Sequence, residues 1–177
     1  PDVSVEVLRT DWTDQAGVLH DGRVDVGFVR TPIDLTGLSS VSLFFEPHVA
    51  LVPAEHPLAG RDAVDIGDLT GDVLLQSADA IPEWKTLPGH ETHLGPAPAA
   101  RSVEEKLEWV AGGRGFSALP QSVADYYRRP DIVALPLRDV QPNEVRLAWL
   151  GDRPTPVLVR DFVDVVGTRF VGAPVVP

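Results

Sequence analysis

Residues 102–120 read SVEEKLEWVAGGRGFSALP, and this stretch decides the fold class. Ser102 and Glu105 have the spacing of a capping box, in which the serine hydroxyl accepts from the amide three residues on and the carboxylate reaches back. Apolar side chains then recur at helical spacing, at Val103, Leu107 and Val110. Two glycines end the helix, and the apolar run 116–119 predicts a strand. A helix followed at once by a buried strand is typical of α/β folds.

The amino-terminal part of the sequence predicts a further unit of strand, helix and strand. Valines alternate with polar residues over 3–8, which predicts a strand with one buried face. A short helix is predicted over about 12–20, and Gly22 is placed to end it in the left-handed conformation. The nearly continuous apolar run 24–30 predicts a strand covered on both faces, as in a parallel sheet.

The remaining elements follow from the same two periodicities. Pro47 cannot donate to a strand ladder, so it separates two strand-like runs, 41–45 and 48–52. The other predicted strands are 73–75, 132–137 and 145–150, the other predicted helices are 65–69, 121–129 and 156–170, and 81–98 is predicted to be a long ordered loop. Because strands and helices alternate along the chain, we predict an α/β fold with mainly parallel sheets.

Two interruptions divide the predicted elements into two lobes. They lie at Pro47 and in the segment 139–143. We therefore expect residues 1–46 and 141–177 to form one lobe and residues 47–140 to form the other, each a mainly parallel sheet flanked by helices. Ligands of such folds bind in the crevice at the carboxyl ends of the strands, so the sequence predicts a binding cleft.

The composition argues against several classes of protein. The 177 residues include 26 acidic and 15 basic ones, and the net charge of -11 repels a nucleic-acid backbone, which argues against direct DNA binding by these residues. Cysteine is absent, which excludes disulfides, cysteine nucleophiles and zinc sites with thiolate ligands. No apolar run approaches the roughly 18 residues of a membrane span. We expect a soluble, cytoplasmic protein.

Three motifs resemble catalytic or metal-binding signatures, and each fails on its context. The run 113–118 (GRGFSA) matches a dinucleotide fingerprint, but a helix precedes it and a strand follows, the reverse of the required order. Ser117 lies in a predicted strand and not at the strand-to-helix turn of a serine hydrolase. The histidines of HETH at 90–93 lack the i, i+4 spacing of a helical metal site. We therefore predict no enzyme activity, no metal site and no cofactor.

Small and polar residues collect where predicted strands end and helices begin. They are Arg30, Thr31, Gln76, Ser77, Ser102 and the corner formed by residues 119–121. The helix that begins after Ser102 offers free amides to an anion, and Arg30 can bind a carboxylate in a bidentate manner. Glu104 and Glu105 partly cancel that positive field. Each of these residues can equally serve as a cap, a turn or a surface charge, so the prediction concerns the cluster.

Several segments resemble the effector-binding domain of LysR-type transcriptional regulators. They are PDV at 1–3, LHDGRVDVG at 19–27, HPLA at 56–59, DL at 68–69, VAGGRGFSALP at 110–120 and LAW at 147–149. None of them is diagnostic alone, but their order and spacing extend the resemblance over essentially the whole chain. The resemblance implies a two-lobed fold similar to type 2 periplasmic binding proteins, in agreement with the lobes predicted above.

The resemblance also implies a function. It implies a small-molecule effector, held between the lobes, that alters DNA binding by a winged helix-turn-helix module N-terminal to these residues. It places in or beside the effector cleft Arg30, Thr31, Gln76, Ser77, Ser102 and Pro120. A homodimer or homotetramer is implied for the full-length regulator, and the predicted helix terminus favours a carboxylate as the effector.

One alternative function and one structural expectation accompany this resemblance. A solute-binding protein of a transporter would share the fold, so transport is the alternative function. The first strand and helix of the resembling domain would precede Pro1, so we expect a fragment with an incomplete pocket. We also expect either a gap in the first sheet or a partner that fills it, because unpaired strand edges are costly when buried.

Overall fold

The structure is a computed structural model that describes residues 3–10, 12, 14–88, 102–152 and 154–170. Contacts between residues divide the chain into two units. Unit 1 comprises residues 1–45 and 144–177, and unit 2 comprises residues 46–143. The lobe boundaries predicted from the sequence follow residues 46 and 140. Each unit has a three-stranded sheet.

The helices and strands follow one another in a mixed order. They are α1 (Gly17–His20), β1 (Gly27–Arg30), β2 (Leu38–Glu46), β3 (His48–Pro53), α2 (Val103–Ala111), β4 (Ser117–Pro120), α3 (Gln121–Tyr126), β5 (Ile132–Pro136), β6 (Asn143–Leu150) and α4 (Val157–Phe170). Short 3-10 helices lie between β3 and α2, at Ile66–Leu69, Ala78–Ala80 and Pro82–Thr86.

In unit 1, β6 lies at the centre of the sheet with β1 and β2 at its edges. β1 pairs with β6 in antiparallel register, and Phe28 stands opposite Leu147. A small buried cluster of Leu19, Val29 and Ala148 joins α1 to these two strands. Gly22 follows α1 with a φ of 66°, the left-handed conformation predicted for it.

In unit 2, β3 lies between β4 and β5 and is antiparallel to both. Alternate side chains of β3 point to opposite faces of the sheet, and both faces are covered. Ala50 and Val52 belong to a buried cluster that includes Trp84 and Phe116. Val49 and Leu51 belong to a second cluster, to which α2 contributes Leu107 and Val110. This two-sided cover explains why β3 is a continuous apolar run.

The helix predicted from the capping box is confirmed. α2 begins directly after Ser102, whose hydroxyl accepts a hydrogen bond from the Glu105 amide at 3.2 Å. It ends at Gly112, and Gly113 follows with a φ of 68°. Capping, periodicity and termination are all encoded within this short stretch, so the sequence is sufficient to define the helix.

The α/β class is as predicted, but the mainly parallel orientation is wrong for the strand pairs whose register is defined. β1–β6, β3–β4 and β3–β5 are antiparallel. Parallel pairing occurs at two single bridges, Val64 with Leu137 and Leu74 with Phe116. A helix between two strands gives parallel pairing only when those strands are neighbours, and β1 pairs instead with a strand from the other end of the chain.

The amino-terminal predictions also need correction. In the described part of the chain neither sheet includes residues 3–8, and Val3, Val5 and Val7 are 53%, 64% and 93% exposed. Alternation indicates which face a strand would bury, but a strand forms only against a partner. The helix predicted over 12–20 is reduced to the single turn of α1. The run 24–30 is not covered on both faces, since Phe28 is 55% exposed.

The predicted loop 81–98 is ordered where the structure describes it. Pro82–Thr86 is a 3-10 helix, and Trp84 within it is 1% exposed and packs edge-on against Phe116 at 5.2 Å between ring centroids. Trp84 is thus the apolar anchor predicted for this segment. The loop from residue 89 onward, with the HETH motif, lies outside the described residues.

Candidate functional site

Three candidate residues of unit 2, Gln76, Ser77 and Pro120, lie where two parallel segments end. Residues 73–75 run beside Phe116 in parallel orientation, held by two backbone hydrogen bonds of 2.9 Å. Gln76 and Ser77 continue from the first segment, and Pro120 ends β4, which continues from the second. Because parallel segments end at the same edge of a sheet, these residues share the carboxyl edge of unit 2.

The side chain of Gln76 is bound within unit 2, where the residue is 9% exposed. Its Nε2 donates to the Ala118 carbonyl at 2.9 Å, and its Oε1 accepts from the Ser117 hydroxyl at 2.6 Å. Ser117 is 0% exposed, so both ends of this network are buried. The amide that the sequence analysis assigns to the effector is therefore already engaged with β4.

Ser77 is exposed and serves as the cap of the next 3-10 helix. Its hydroxyl accepts from the Asp79 amide at 3.2 Å and donates to the Asp79 carboxylate at 3.0 Å. The Lys85 ammonium also donates to Asp79. The hydrogen bond from Lys85 and then that from Ser77 hold the pKa of the Asp79 carboxyl below its usual range. The Ser77 hydroxyl thus sits at the edge of the sheet in a fixed local geometry.

Ser102 is an exposed cap of α2, and its immediate surroundings are acidic. Glu104 and Glu105 occupy the first turn of the helix. The Tyr127 hydroxyl donates to Glu104 at 2.8 Å, which fixes one of these carboxylates beside α3. The two carboxylates oppose the attraction of the helix amides for an anion, as the sequence analysis anticipates.

Pro120 is buried at the junction of β4 and α3. It stands opposite His48, the first residue of β3. The next amide, that of Gln121, donates to the Pro47 carbonyl at 2.9 Å. These contacts join the end of β4 to the point where β2 passes into β3, so Pro120 fixes the backbone at the carboxyl edge.

In unit 1, Arg30 and Thr31 lie at the end of β1. The Arg30 amide donates to the Gln15 side chain at 2.8 Å, and the Arg30 side chain is half-buried. The Thr31 amide donates to the Glu144 carbonyl at 3.0 Å, and its hydroxyl accepts from the Glu144 amide at 3.2 Å. Glu144 also pairs with Arg146 at 2.6 Å. The backbone that carries both candidates is thus held on two sides.

The structure therefore joins Gln76 to β4 and Thr31 to β6, each within its own unit. Sequence reasoning missed Ser117 and Glu144 as the partners in these contacts. A signal for Ser117 does exist, because a lone hydroxyl inside the apolar run FSAL must find a hydrogen-bond partner when buried. Glu144 gives no such signal, since its partner comes from the opposite end of the sequence.

The surroundings of Ser117 and the arrangement of acidic and histidine side chains bear on catalysis and metal binding by the described residues. The Ser117 hydroxyl donates to an amide oxygen, which is not a base and does not activate a nucleophile. Among the residues that the structure describes, no group of three His, Asp or Glu side chains is arranged to hold a metal ion. Within that same part of the chain, no helix has the length and apolar character needed to span a bilayer.

One cavity of unit 2 is lined by Gln121 of the candidate corner 119–121, but by none of the six residues assigned to the effector. It has a volume of about 330 Å³, and its lining includes Leu51, Leu107, Arg128 and Arg129. Each of the two arginines is paired with a carboxylate of the same unit. The charges of these arginines are thus compensated within unit 2.

Comparison with known proteins identifies a family of regulators. A family model described as the LysR substrate binding domain matches residues 1–171. The Hca operon transcriptional activator HcaR of Escherichia coli K12 is 24% identical over 179 residues, which covers 96% of this chain and 59% of HcaR. The transcriptional dual regulator OxyR of the same strain is 28% identical over 145 residues, covering 77% of this chain and 46% of OxyR. The chain thus spans about half the length of these relatives.

A solved structure agrees with these matches. A hydrogen peroxide-bound OxyR variant from Corynebacterium glutamicum superposes with a TM-score of 0.72 at 17% identity, covering 92% of this chain and 53% of the variant. At this identity the likeness is one of fold. It confirms the predicted fold class, and the family model accounts for nearly the whole sequence.

Proposed function

Because the chain belongs to the LysR substrate-binding domain family, we propose that it is the effector-binding domain of a bacterial LysR-type transcriptional regulator. The observation that carries the proposal is the family match over residues 1–171. A small molecule binds this domain and alters DNA binding by a winged helix-turn-helix outside these residues. Such an effector must prefer one state of the regulator, since a ligand with equal affinity for both states shifts nothing.

The proposed effector contacts are the polar residues at the strand ends and helix starts of each unit. They are Arg30, Thr31, Gln76, Ser77, Ser102 and Pro120. Support for Gln76, Ser77 and Pro120 comes from the parallel pairing of residues 73–75 with Phe116, because ligands of parallel α/β sheets bind at the carboxyl ends of strands. Arg30 ends β1, Gln76 and Ser77 follow the parallel segment 73–75, and Pro120 ends β4.

We propose a small carboxylate as the effector, with Arg30 as its principal charged contact. A guanidinium can form two parallel hydrogen bonds to a carboxylate, and Arg30 is a half-buried residue at the end of β1. The glutamates at the start of α2 weaken the case for that helix terminus as a second anion contact. A thiol-based response to peroxide is not available to these 177 residues, because they contain no cysteine.

Two other functions receive less support. A transport solute-binding protein would share the fold, but the relatives reported above are named as transcriptional regulators. An enzyme would need a reactive constellation, and the buried Ser117 hydroxyl has an amide as its partner. We therefore propose a domain without catalysis and without a cofactor.

The assembly and its location are also part of the proposal. The net charge of -11 favours DNA contact through a separate module, because phosphate contacts depend on lysine and arginine. We propose a homodimer or homotetramer of the complete regulator, acting in the cytoplasm, where promoter DNA is accessible.

The proposal is tested on the complete gene product with a panel of small carboxylates, among them benzoate and succinate, in a thermal-shift assay. A compound that binds the folded state raises its melting temperature. We expect Arg30→Ala to weaken binding of the active compound about 10–100-fold, because a charge-assisted hydrogen bond contributes about 1.5–3 kcal/mol. Isothermal titration measures the affinity.

Arg160→Ala is the matched control, since Arg160 is an exposed arginine of α4 in the same unit. It should leave the affinity unchanged. Unchanged affinity in Arg30→Ala would remove Arg30 from the site. A complete gene product that fails to bind promoter DNA in a gel-shift assay, with and without the active compound, would contradict the regulatory function.

A further inference from the structure

Among the described residues of unit 2, Ser117, the first residue of β4, is the most deeply buried polar residue. It is 0% exposed, and its hydroxyl donates to the Gln76 side-chain oxygen at 2.6 Å. The Gln76 Nε2 donates in turn to the Ala118 carbonyl at 2.9 Å. Breaking either bond would leave a buried polar atom without its partner, which is costly away from water. These two bonds therefore form one interdependent network.

The network fixes the orientation of the Gln76 amide. A hydroxyl can donate or accept, so Ser117 alone would tolerate either end of the amide. The Ala118 carbonyl only accepts, so the amide nitrogen must face it and the amide oxygen must face Ser117. With both ends engaged, the Gln76 side chain is held in one rotamer and one orientation.

This amide takes the place of a backbone donor. The segment 73–75 pairs with Phe116 as in a parallel ladder, through the Leu75 amide and the Val73 carbonyl. In a continued ladder the Ser77 amide would donate to the Ala118 carbonyl. The structure instead shows the Gln76 side chain at that carbonyl, while Ser77 begins the 3-10 helix Ala78–Ala80. The chain can leave the sheet at Gln76 because the Ala118 carbonyl still accepts a hydrogen bond, from the Gln76 side chain.

We propose that Ser117 is a positioning residue of the effector site. Acting through the Gln76 amide, its hydroxyl sets the point at which segment 73–76 leaves the sheet, and thereby the position of the Ser77 hydroxyl. The role of Ser77 toward a ligand rests on the proposed function, whereas the control of Ser77 by Ser117 does not.

Hydrogen–deuterium exchange of the complete gene product tests the structural step without any ligand. The variants are Ser117→Ala, which removes only the hydroxyl, and Gln76→Met, which keeps the side-chain length. We expect exchange in peptides covering residues 77–86 to become at least tenfold faster than in the wild type. The double variant should add little, because both substitutions break the same network.

Val110→Ala is the control, since Val110 is a buried residue of α2 whose cluster includes none of residues 77–86. It lowers stability through that cluster, so it should raise exchange throughout unit 2 with no excess at residues 77–86. If Ser117→Ala shows the same uniform pattern as Val110→Ala, the positioning role is wrong and Ser117 is only a structural residue.

A binding measurement then separates this inference from the proposed function. With benzoate or succinate as the probe, whichever binds the wild type, Ser117→Ala should weaken affinity at least fivefold and Val110→Ala should not. Equal affinity in wild type and Ser117→Ala would overturn the link to the ligand. If neither probe binds the wild type, the carboxylate proposal fails, and the exchange result still decides whether Ser117 positions Ser77.

Discussion

The two sheets have the same number of strands, but their side chains are covered to different extents. Counted over the described residues, the two faces of β3 in unit 2 pack into clusters of thirteen and seven buried residues. The cluster behind β1 in unit 1 has three described residues. Among the described residues, the large apolar side chains left exposed in unit 1 are Val3, Val5, Val7, Leu8, Trp12, Phe28, Phe45, Val157, Leu158 and Val165, whereas unit 2 exposes Tyr126.

This difference bears on where the stability of the chain resides. Burial of apolar surface is the main favourable contribution to folding, so the doubly covered sheet of unit 2 gains more from packing. A closely packed interior is also less tolerant of added volume. We therefore expect substitutions that disturb packing to cost more in unit 2, and substitutions of exposed apolar residues in unit 1 to cost little.

The largest expected effect is that of Gly115→Ala in unit 2. A methyl group at this position would lie 2.0 Å from the Val73 carbonyl oxygen, and the φ of 147° is already unfavourable for alanine. The oxygen cannot move away without breaking its 2.9 Å bond to the Phe116 amide. We expect a loss of at least about 4 kcal/mol in the free energy of unfolding, measured by urea denaturation.

Gly113→Ala provides the matched control two residues away. Its φ of 68° also disfavours alanine, but nothing lies within 4 Å of the added methyl group. We expect a loss of about 1 kcal/mol, the ordinary cost of the left-handed conformation. Similar losses for the two variants would show that unit 2 is not closely packed at Val73, and would weaken the contrast between the units.

Elements that are specified by local sequence could be predicted, whereas pairing between distant segments could not. α2 was predictable because its cap, its apolar period and its terminating glycines are all local. The strand predicted over residues 3–8 does not form, because pairing depends on a neighbour that the alternation of valines does not reveal. The direction of pairing failed for the same reason, since β1 meets β6 from the far end of the chain.

The candidate site shows the same division between local and distant information. Ser77 and Ser102 could be identified as caps, since their bonds to Asp79 and to Glu105 span two or three residues. The bond between Ser117 and Gln76 joins residues 41 positions apart, so its geometry follows only from the folded sheet. The apolar run 116–119 predicted a strand that contains Ser117, but not which group its hydroxyl would meet.

A smaller effect is expected from acid, and it should appear first in unit 2. Four aspartate carboxyls of unit 2 have a pKa below the usual value of 3.8, because each accepts a hydrogen bond from a cationic side chain. The pairs are Asp65 with Arg138, Asp79 with Lys85, Asp125 with Arg128 and Asp131 with Arg129. In unit 1 the pKa of Asp34 is lowered by hydrogen bonds from Thr36. A carboxyl with a lowered folded-state pKa stabilises the fold above its unfolded pKa and loses that contribution as the pH falls through the folded value.

We therefore expect the urea midpoint to fall as the pH is lowered from 5 to 3, with amide protection factors, which correct for the intrinsic exchange rate at each pH, falling in unit 2 before unit 1. Asp65→Asn, which removes the ion pair with Arg138 at 2.7 Å, should make the acid-induced fall smaller. High salt should reduce it as well, because these carboxylates are exposed and their pairs are screened. Earlier loss of protection in unit 1 would contradict this part of the comparison.

The smallest expected effect is that of Phe28→Ala in unit 1, and it tests whether the apolar surface of that unit is exposed in solution. Phe28 is 55% exposed, whereas its neighbour Val29 is 1% exposed on the other face of β1. We expect Phe28→Ala to cost less than about 1 kcal/mol and Val29→Ala about 2 kcal/mol, because only the second removes buried methyl groups. Urea denaturation of both variants measures the order. If Phe28→Ala proved the more costly, Phe28 would be buried in the solution state, and the contrast between the units would disappear there.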